Sequence, residues 1–332
     1  MATSTMPRLA EPTLADLLAL VQPGLRAVEA KMRETTIAEH AALNQALEHL
    51  LAAGGKRVRP AVALLAAHLF QAPLTRSTAL AAAVEMLHTA TLVHDDLVDG
   101  SLLRRGHPTL NAQWSPAATV LAGDFLFARA AELASQAESV PVMSAFARTL
   151  MIIVNGELTQ MFAGRGRASR PGYFDRIYGK TASLFEVAAL APALLADAAA
   201  EEVEAMRTFG REAGMAFQIM DDVLDFTADA AQLGKPAGSD LRQGLITLPA
   251  LCYLEAHPDD PDLAALLNGR AGDPVLVERV VRAVCGSAAI AQAVDEARAY
   301  VARAQAALAG VPANPHRQAL SDLAELFVNR NL

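Results

Sequence analysis

The sequence predicts an all-α protein, and three observations predict it. The chain is 53% hydrophobic but only 5% aromatic, with Ala and Leu prominent, and both are strong helix formers. Clusters of β-branched residues bounded by turn signals are scarce. Apolar residues recur at helical spacing nearly from end to end, punctuated briefly by Gly and Pro.

The elements follow in order. Pro12-Thr13 opens a helix that runs to about residue 31, and Thr35-Thr36 caps another that ends at Gly54-Gly55. Pro60 fits an early helical position, and that helix closes near Gln71-Ala72-Pro73. Residues 77–98 form a long helix ending in acids, and 100–111 read as a polar loop. Helices follow at about 116–137 and 141–162, then a basic loop at 164–172 and a helix at 173–196. A second acid-ended helix covers about 200–226, and a Gly/Pro/Asp-rich loop spans 233–244. Shorter helices fill 245–330, broken at Pro258 and at Gly272-Asp273-Pro274. A chain of 332 residues has room for two domains or one large one. No Ser/Pro/Gly linker divides it, so residues 1–332 read as a single domain.

Composition narrows the function. The net charge is −8, with no long basic run, which argues against nucleic acid as a partner. Cys252 and Cys285 have no metal or redox spacing and read as small buried hydrophobes in a reduced compartment. The first residues lack a basic segment followed by an apolar one. No stretch of about 18 uncharged apolar residues occurs; residues 77–93 come closest but carry Glu85 and His88. The expectation is a cytoplasmic protein without stable membrane insertion.

One acidic pattern occurs twice. Asp95-Asp96-Leu97-Val98-Asp99 returns as Asp221-Asp222-Val223-Leu224-Asp225, each after an apolar, helix-periodic run. On a helix the first and fifth residues share a face, so Asp95 pairs with Asp99 and Asp221 with Asp225. Carboxylates stacked in this way repel unless a cation lies between them. Oxygen-only ligands suit Mg²⁺, which keeps waters and takes phosphate oxygens as further ligands. A lone pair of this kind is usually solvated charge. Two, on half-buried helices, need compensation.

Cations gather at matching places. Lys56 and Arg59, three apart at a helix start, can grip one phosphate group. Arg104 and Arg105 follow the first acidic motif, Lys180-Thr181 lies within a helix, and Lys235 follows the second motif. Glu85-x-x-His88 has the form of half a di-iron site, but no second Glu-x-x-His occurs. His88 lies two turns before Asp95 on the same face, where it fits a donor to bound phosphate.

These residues resemble the trans (all-E) polyprenyl diphosphate synthases of long-chain type, of octaprenyl and decaprenyl kind. The matching stretches are Gly55 to Pro60; His88 through Asp99 and on to Thr109; Gly123-Asp124-Phe125-Leu126; Gly156-Glu157-Leu158 with Gln160; Lys180-Thr181-Ala182; Phe217 to Asp225; and Gly234-Lys235-Pro236 with Gly238 and Asp240-Leu241. Arg330 stands where the family often carries basic residues.

The resemblance implies an isoprenoid synthase type helical bundle around a central cavity. It implies Mg²⁺ as cofactor, three ions with substrate bound. Isopentenyl diphosphate and an allylic diphosphate would be the substrates, joined head to tail. Asp95, Asp99, Asp221 and Asp225 are then metal ligands, with Asp96 and Asp222 direct or water-mediated. Arg104, Lys180 and Lys235 hold the allylic diphosphate. Lys56, Arg59, His88 and Arg105 hold isopentenyl diphosphate. Thr181 and Gln218 sit beside the cation, and Phe217 is either a neighbour of the chain or core. Small Ala90 and Thr91 leave an open floor below Asp95, which in the family accompanies long products. Phe146, Leu150 and Ile153 are candidates for a deeper floor. A homodimer is also implied, and Ala-rich residues 116–137 offer apolar faces for it. Three alternatives stay open: a short-chain farnesyl or geranylgeranyl diphosphate synthase, a class I terpene cyclase, and a non-catalytic subunit of a heteromeric synthase. Lys56, Arg59, Arg105 and an all-Asp second motif weigh against the cyclase, and retention of both motifs against the subunit.

Overall fold

The computed structural model describes residues 12–34, 41–52, 54–104, 106–162, 169–227, 237–270 and 272–329. Its order is α1 (Leu14–Ala19), α2 (Gln22–Arg33), α3 (Ala41–Ala52), α4 (Val58–Leu69) and α5 (Leu74–Val98), then β1 (Leu103–Arg104) and β2 (His107–Pro108). Next come α6 (Leu110–Gln113), α7 (Pro116–Ser135), α8 (Val140–Phe162), α9 (Arg170–Ile177), a π-helical turn (Tyr178–Ala182), α10 (Ser183–Leu195) and α11 (Ala200–Thr227). The remainder is α12 (Ser239–Arg242), α13 (Leu248–Ala256), α14 (Pro261–Ala265) with a π-helical turn (Leu266–Arg270), α15 (Pro274–Cys285), α16 (Ala289–Ala307) and α17 (Pro315–Val328).

The all-α expectation holds, with local corrections. The first helix breaks at Val21, because Pro23 starts a new one at its N-terminal turn. The loop at 100–111 contains a two-stranded antiparallel hairpin that pairs Leu103 with Pro108 and Arg104 with His107. Gly106, at φ +78°, makes its tight turn. The single helix expected at 173–196 is interrupted by the π-helical turn. The tail is not uniformly short-helical, since α16 runs 19 residues.

α4, α5 and α10 form the centre. α10 is buried nearly all round, from Ser183 through Ala193, as an interior helix should be. α5 is buried from Ala79 to Leu87 and packs chiefly on α7. α11 crosses α10 so closely that a Cβ on Gly214 would lie 2.6 Å from the Ala182 Cα, so only glycine fits there. That contact fixes the second acidic helix against the π-helical turn. Among the described residues no helix is long and apolar enough to cross a membrane.

Candidate active site

The C-terminal end of α5 carries the first acidic motif. The Asp99 N–H donates to the Asp95 carbonyl at 2.8 Å, so the helical register persists and both carboxylates face one way. Lys180 Nζ lies 3.1 Å from Asp95 Oδ2 and 3.1 Å from Glu157 Oε1. The π-helical turn that carries Lys180 inserts an extra residue per turn, a device that re-aims side chains. A Cβ on Gly179 would lie 3.4 Å from the Gly156 Cα. This glycine contact lets α8 approach closely enough to bring Glu157 to Lys180. Burial pulls the Lys180 pKa down, but Asp95 and Glu157 more than reverse it. Burial pushes the Asp99 and Glu157 carboxyls up, against the pull of Lys180.

Asp96 points elsewhere. Its Oδ1 accepts from Arg104 Nε at 2.8 Å and lies 2.8 Å from Nη2. Burial raises its pKa, with Arg104 opposing. A small cavity of about 60 Å³ lies beside this pair, with Arg57, Glu85, His88, Asp96, Arg104 and His107 on its wall. Arg57 Nη1 donates to Glu85 Oε1 at 2.8 Å. Glu85 therefore has a cationic partner within the protein, which removes the di-iron reading. His49 Nε2 lies 3.2 Å from the Pro108 carbonyl and ties the hairpin to α3.

The second motif faces a larger cavity of about 610 Å³. Asp99, Arg104 and Lys180 stand on its wall together with Gln218, Asp222 and Asp240. A chain of hydrogen bonds fixes the α11 side: Thr181 Oγ1 donates to Gln218 Oε1 at 2.7 Å, Gln218 Nε2 to Asp222 Oδ1 at 2.7 Å, and Tyr173 Oη to Asp222 Oδ2 at 2.8 Å. Burial, reinforced by nearby Asp240, pushes the Asp222 pKa up to about 7. Asp225 turns to the backbone instead. Its Oδ2 accepts from the Asp240 N–H at 3.2 Å, and its carbonyl accepts from the Gly238 N–H at 2.8 Å. Asp225 thus anchors the segment that brings Asp240 to the cavity.

Other expected residues fall as follows. Asp221 is half-buried. Lys56 is exposed, and the Arg59 guanidinium lies 4.8 Å from the Phe185 ring centroid. Phe217 packs in an aromatic cluster, 5.1 Å from both Phe185 and Phe327, so it belongs to the core. Ala90 is completely buried, while Thr91 is half-buried and donates to the His88 carbonyl. Phe146 and Ile153 are buried, and Leu150 is partly so. Arg105, Lys235 and Arg330 lie outside the described residues. Cys252 is buried as expected, but Cys285 is exposed at the end of α15. Sequence reasoning missed His49, Arg57, Glu157, Tyr173 and Asp240. Only Glu157 and Asp240 carried a signal, since both lie in motifs quoted above; Arg57 was hidden among phosphate-binding neighbours.

Among the described residues no three His, Cys, Asp or Glu side chains form a ready-made metal cage. The donor set still fits a hard divalent cation. It consists of carboxylates only, from two facing helices, beside cations that can hold phosphate.

The buried Asp222 carboxyl has a consequence for stability. Its native pKa is near 7, against 3.8 for the free group. The folded protein therefore binds an extra proton between those values, and stability falls as pH rises through that window, by at most about 1.4 kcal/mol per pH unit. In chelator-treated protein, Asp222→Asn should melt higher than wild type at pH 7.5, with the gap closing towards pH 4. Parallel melting curves across that range would show that Asp222 carries no such penalty.

Residues 40–284 match the polyprenyl synthetase family model. The chain is 38% identical over 319 residues to "Heptaprenyl diphosphate synthase component 2" of Geobacillus stearothermophilus, covering 96% of this chain and 98% of the relative. It is 39% identical over 318 residues to the "All-trans-nonaprenyl-diphosphate synthase (geranyl-diphosphate specific)" of Rhodobacter capsulatus, covering 95% and 97%. The crystal structure of a polyprenyl synthase from Caulobacter crescentus CB15, complexed with calcium and isoprenyl diphosphate, superposes with a TM-score of 0.90 at 38% identity, covering 98% and 100%. The facing acidic helices, the cations between them and these likenesses lead to one conclusion: the chain belongs to the polyprenyl synthetase family, whose members are prenyl-transferring enzymes.

Proposed function

We propose that this transferase condenses isopentenyl diphosphate head to tail with an allylic diphosphate and makes a long all-trans product, roughly C30 to C50 by analogy with its relatives, of the quinone side-chain type. The observation that carries the reading is the cavity of about 610 Å³, which has carboxylates of both acidic helices and Lys180 on one wall.

Asp95, Asp99 and Asp221 would hold the Mg²⁺ ions, three with substrate bound, with Asp222 and Asp225 direct or water-mediated. Ions held by these carboxylates would supply the charge neutralisation that makes diphosphate a leaving group without proton transfer. Lys180 and Arg104 supply cations for the phosphate oxygens of the allylic substrate, joined by Lys235. Lys180 can exchange Asp95 for phosphate while Glu157 keeps it in place. The linked Thr181 and Gln218 side chains present fixed dipoles beside the allylic cation, a preorganised form of charge stabilisation. The allylic C–O bond breaks, the isopentenyl double bond supplies the electrons for the new C–C bond, and the departing pyrophosphate takes the proton. Lys56, Arg59, His88 and Arg105 hold isopentenyl diphosphate during this exchange.

The direct test supplies the purified chain with Mg²⁺, radiolabelled isopentenyl diphosphate and primers of different length, and sizes products after dephosphorylation. Long products are expected. Products that stop at C15 or C20 would reject the long-chain assignment. Turnover that requires a second protein would make this chain one component of a heteromer, as the name of its heptaprenyl relative suggests for that protein.

We also infer a single-domain homodimer that works in the cytoplasm. On α7, Leu121 is 68% exposed, and on α8 Met151 and Met161 are each 60% exposed. Exposed apolar side chains on these two helices fit a self-complementary contact between two copies. Light scattering at micromolar concentration should give the mass of two chains, and a monomer mass would contradict the assignment.

A further inference from the structure

We propose that Arg57 neutralises Glu85 inside the isopentenyl diphosphate pocket and, through that ion pair, positions Lys56 and Arg59 of the α3–α4 turn opposite His88 of α5. The inference rests on the reading of Lys56, Arg59 and His88 as diphosphate ligands.

Three observations carry it. The first is the backbone. Arg57 is the N-cap of α4 and sits at φ +50°, ψ +32°, a left-handed conformation that non-glycine residues avoid. Such a conformation persists when its surroundings over-determine it. The turn leaves Lys56 exposed in the loop and places Arg59 in the first turn of α4, over the Phe185 ring.

The second is what holds that turn. One guanidinium reaches three helices. Nη1 donates to Glu85 Oε1 of α5 at 2.8 Å, Nε to Glu29 Oε1 of α2 at 3.3 Å, and Nη2 to the Leu51 carbonyl of α3 at 3.4 Å. The pair is shielded, with the Arg57 side chain 14% exposed and that of Glu85 7%. Arginine suits this role, because its planar fork satisfies several acceptors at once.

The third is the place of Glu85. It lies three residues before His88 on one helix face, and both line the small cavity. A bare carboxylate there would repel a diphosphate. Paired with Arg57, it contributes no net charge and gives α5 a fixed point against the turn. Arg57 is therefore a positioning residue, and its loss should act on one substrate.

The test uses steady-state kinetics of the full chain with each substrate varied in turn. Arg57→Met should raise the KM for isopentenyl diphosphate by about 10- to 100-fold, the cost of a misplaced or repelled ligand. The KM for the allylic primer should stay within about threefold, since Lys180, Thr181 and Gln218 lie outside this network and Arg104, on the same cavity wall, is held by Asp96 and not by Glu85. Adding Glu85→Gln to Arg57→Met removes the stranded carboxylate and should recover about tenfold of the lost affinity. Isothermal titration of isopentenyl diphosphate into chelator-treated protein should show the same order. Where Arg57→Met does not fold, Arg57→Gln takes its place with the same expectation, because its amide keeps donors but not the charge. An unchanged KM for isopentenyl diphosphate, equal effects on both substrates, or a double variant no better than the single one would overturn the proposal. Failure of the ligand reading shows separately, as an unchanged KM for isopentenyl diphosphate in Lys56→Ala.

Discussion

Asp95→Ala should lower turnover by about 10²- to 10³-fold while the helical circular dichroism stays unchanged, and Asp221→Ala should do the same. Asp95 can be removed without harm to the fold for a structural reason. Its partner Lys180 is also 3.1 Å from Glu157, so deletion strands no buried charge. Alanine also continues the helix well. The loss is then specific to the metal and the diphosphate it would neutralise. Asp96→Ala should behave differently. Asp96 is buried and holds Arg104, and deletion releases this proposed phosphate ligand, whose side chain is 39% exposed and can turn to water. Near-wild-type turnover of Asp95→Ala at saturating Mg²⁺ would remove the metal assignment.

The sequence made some of this site legible because certain signals are local. The long acidic helices α5 and α11 stand out, since apolar periodicity and the Asp spacing both lie within one element. Lys180 was also visible, as a cation in an apolar helix. Its exact direction was not, because a π-helical turn has no residue pattern of its own; Gly179 of this turn lies against Gly156 of α8. The same holds for the second motif. Its helix presents Asp222 to the cavity and turns Asp225 towards Gly238 and Asp240. Which of three carboxylates faces inward depends on the rotation of α11 against α10, set by contacts such as Gly214 on Ala182. Arg57 drew no role of its own between Lys56 and Arg59, because its partner Glu85 lies on another helix. The hairpin at 103–108 escaped notice because two-residue strands are too short for alternation, although Gly106 marked its turn.

The product-length prediction also changes with the structure. The chain must grow away from the cavity, below the acidic end of α5. Four residues before Asp95, Thr91 lies about 40° from it around the helix, whereas Ala90, five residues before, lies about 140° away. The burial agrees with that geometry. Thr91 is half-buried, whereas Ala90 has no exposure at all and shares the stripe of His94, whose ring meets Phe127 of α7 at 5.0 Å. Thr91→Phe is therefore the cleaner plug. Its ring should enter the space below Asp95 and stop elongation, so that products shift from long chains to roughly C15 to C20. The acidic motifs are untouched, so ionisation and the first condensation should continue. Ala90→Phe should also shorten products, but through an overfilled contact with α7 that costs roughly 1–3 kcal/mol of stability. Product sizing after dephosphorylation, paired with melting temperatures, separates the two. If Thr91→Phe leaves the wild-type product distribution in place, residue 91 does not line the growing chain, and the open-floor account of long products fails with it.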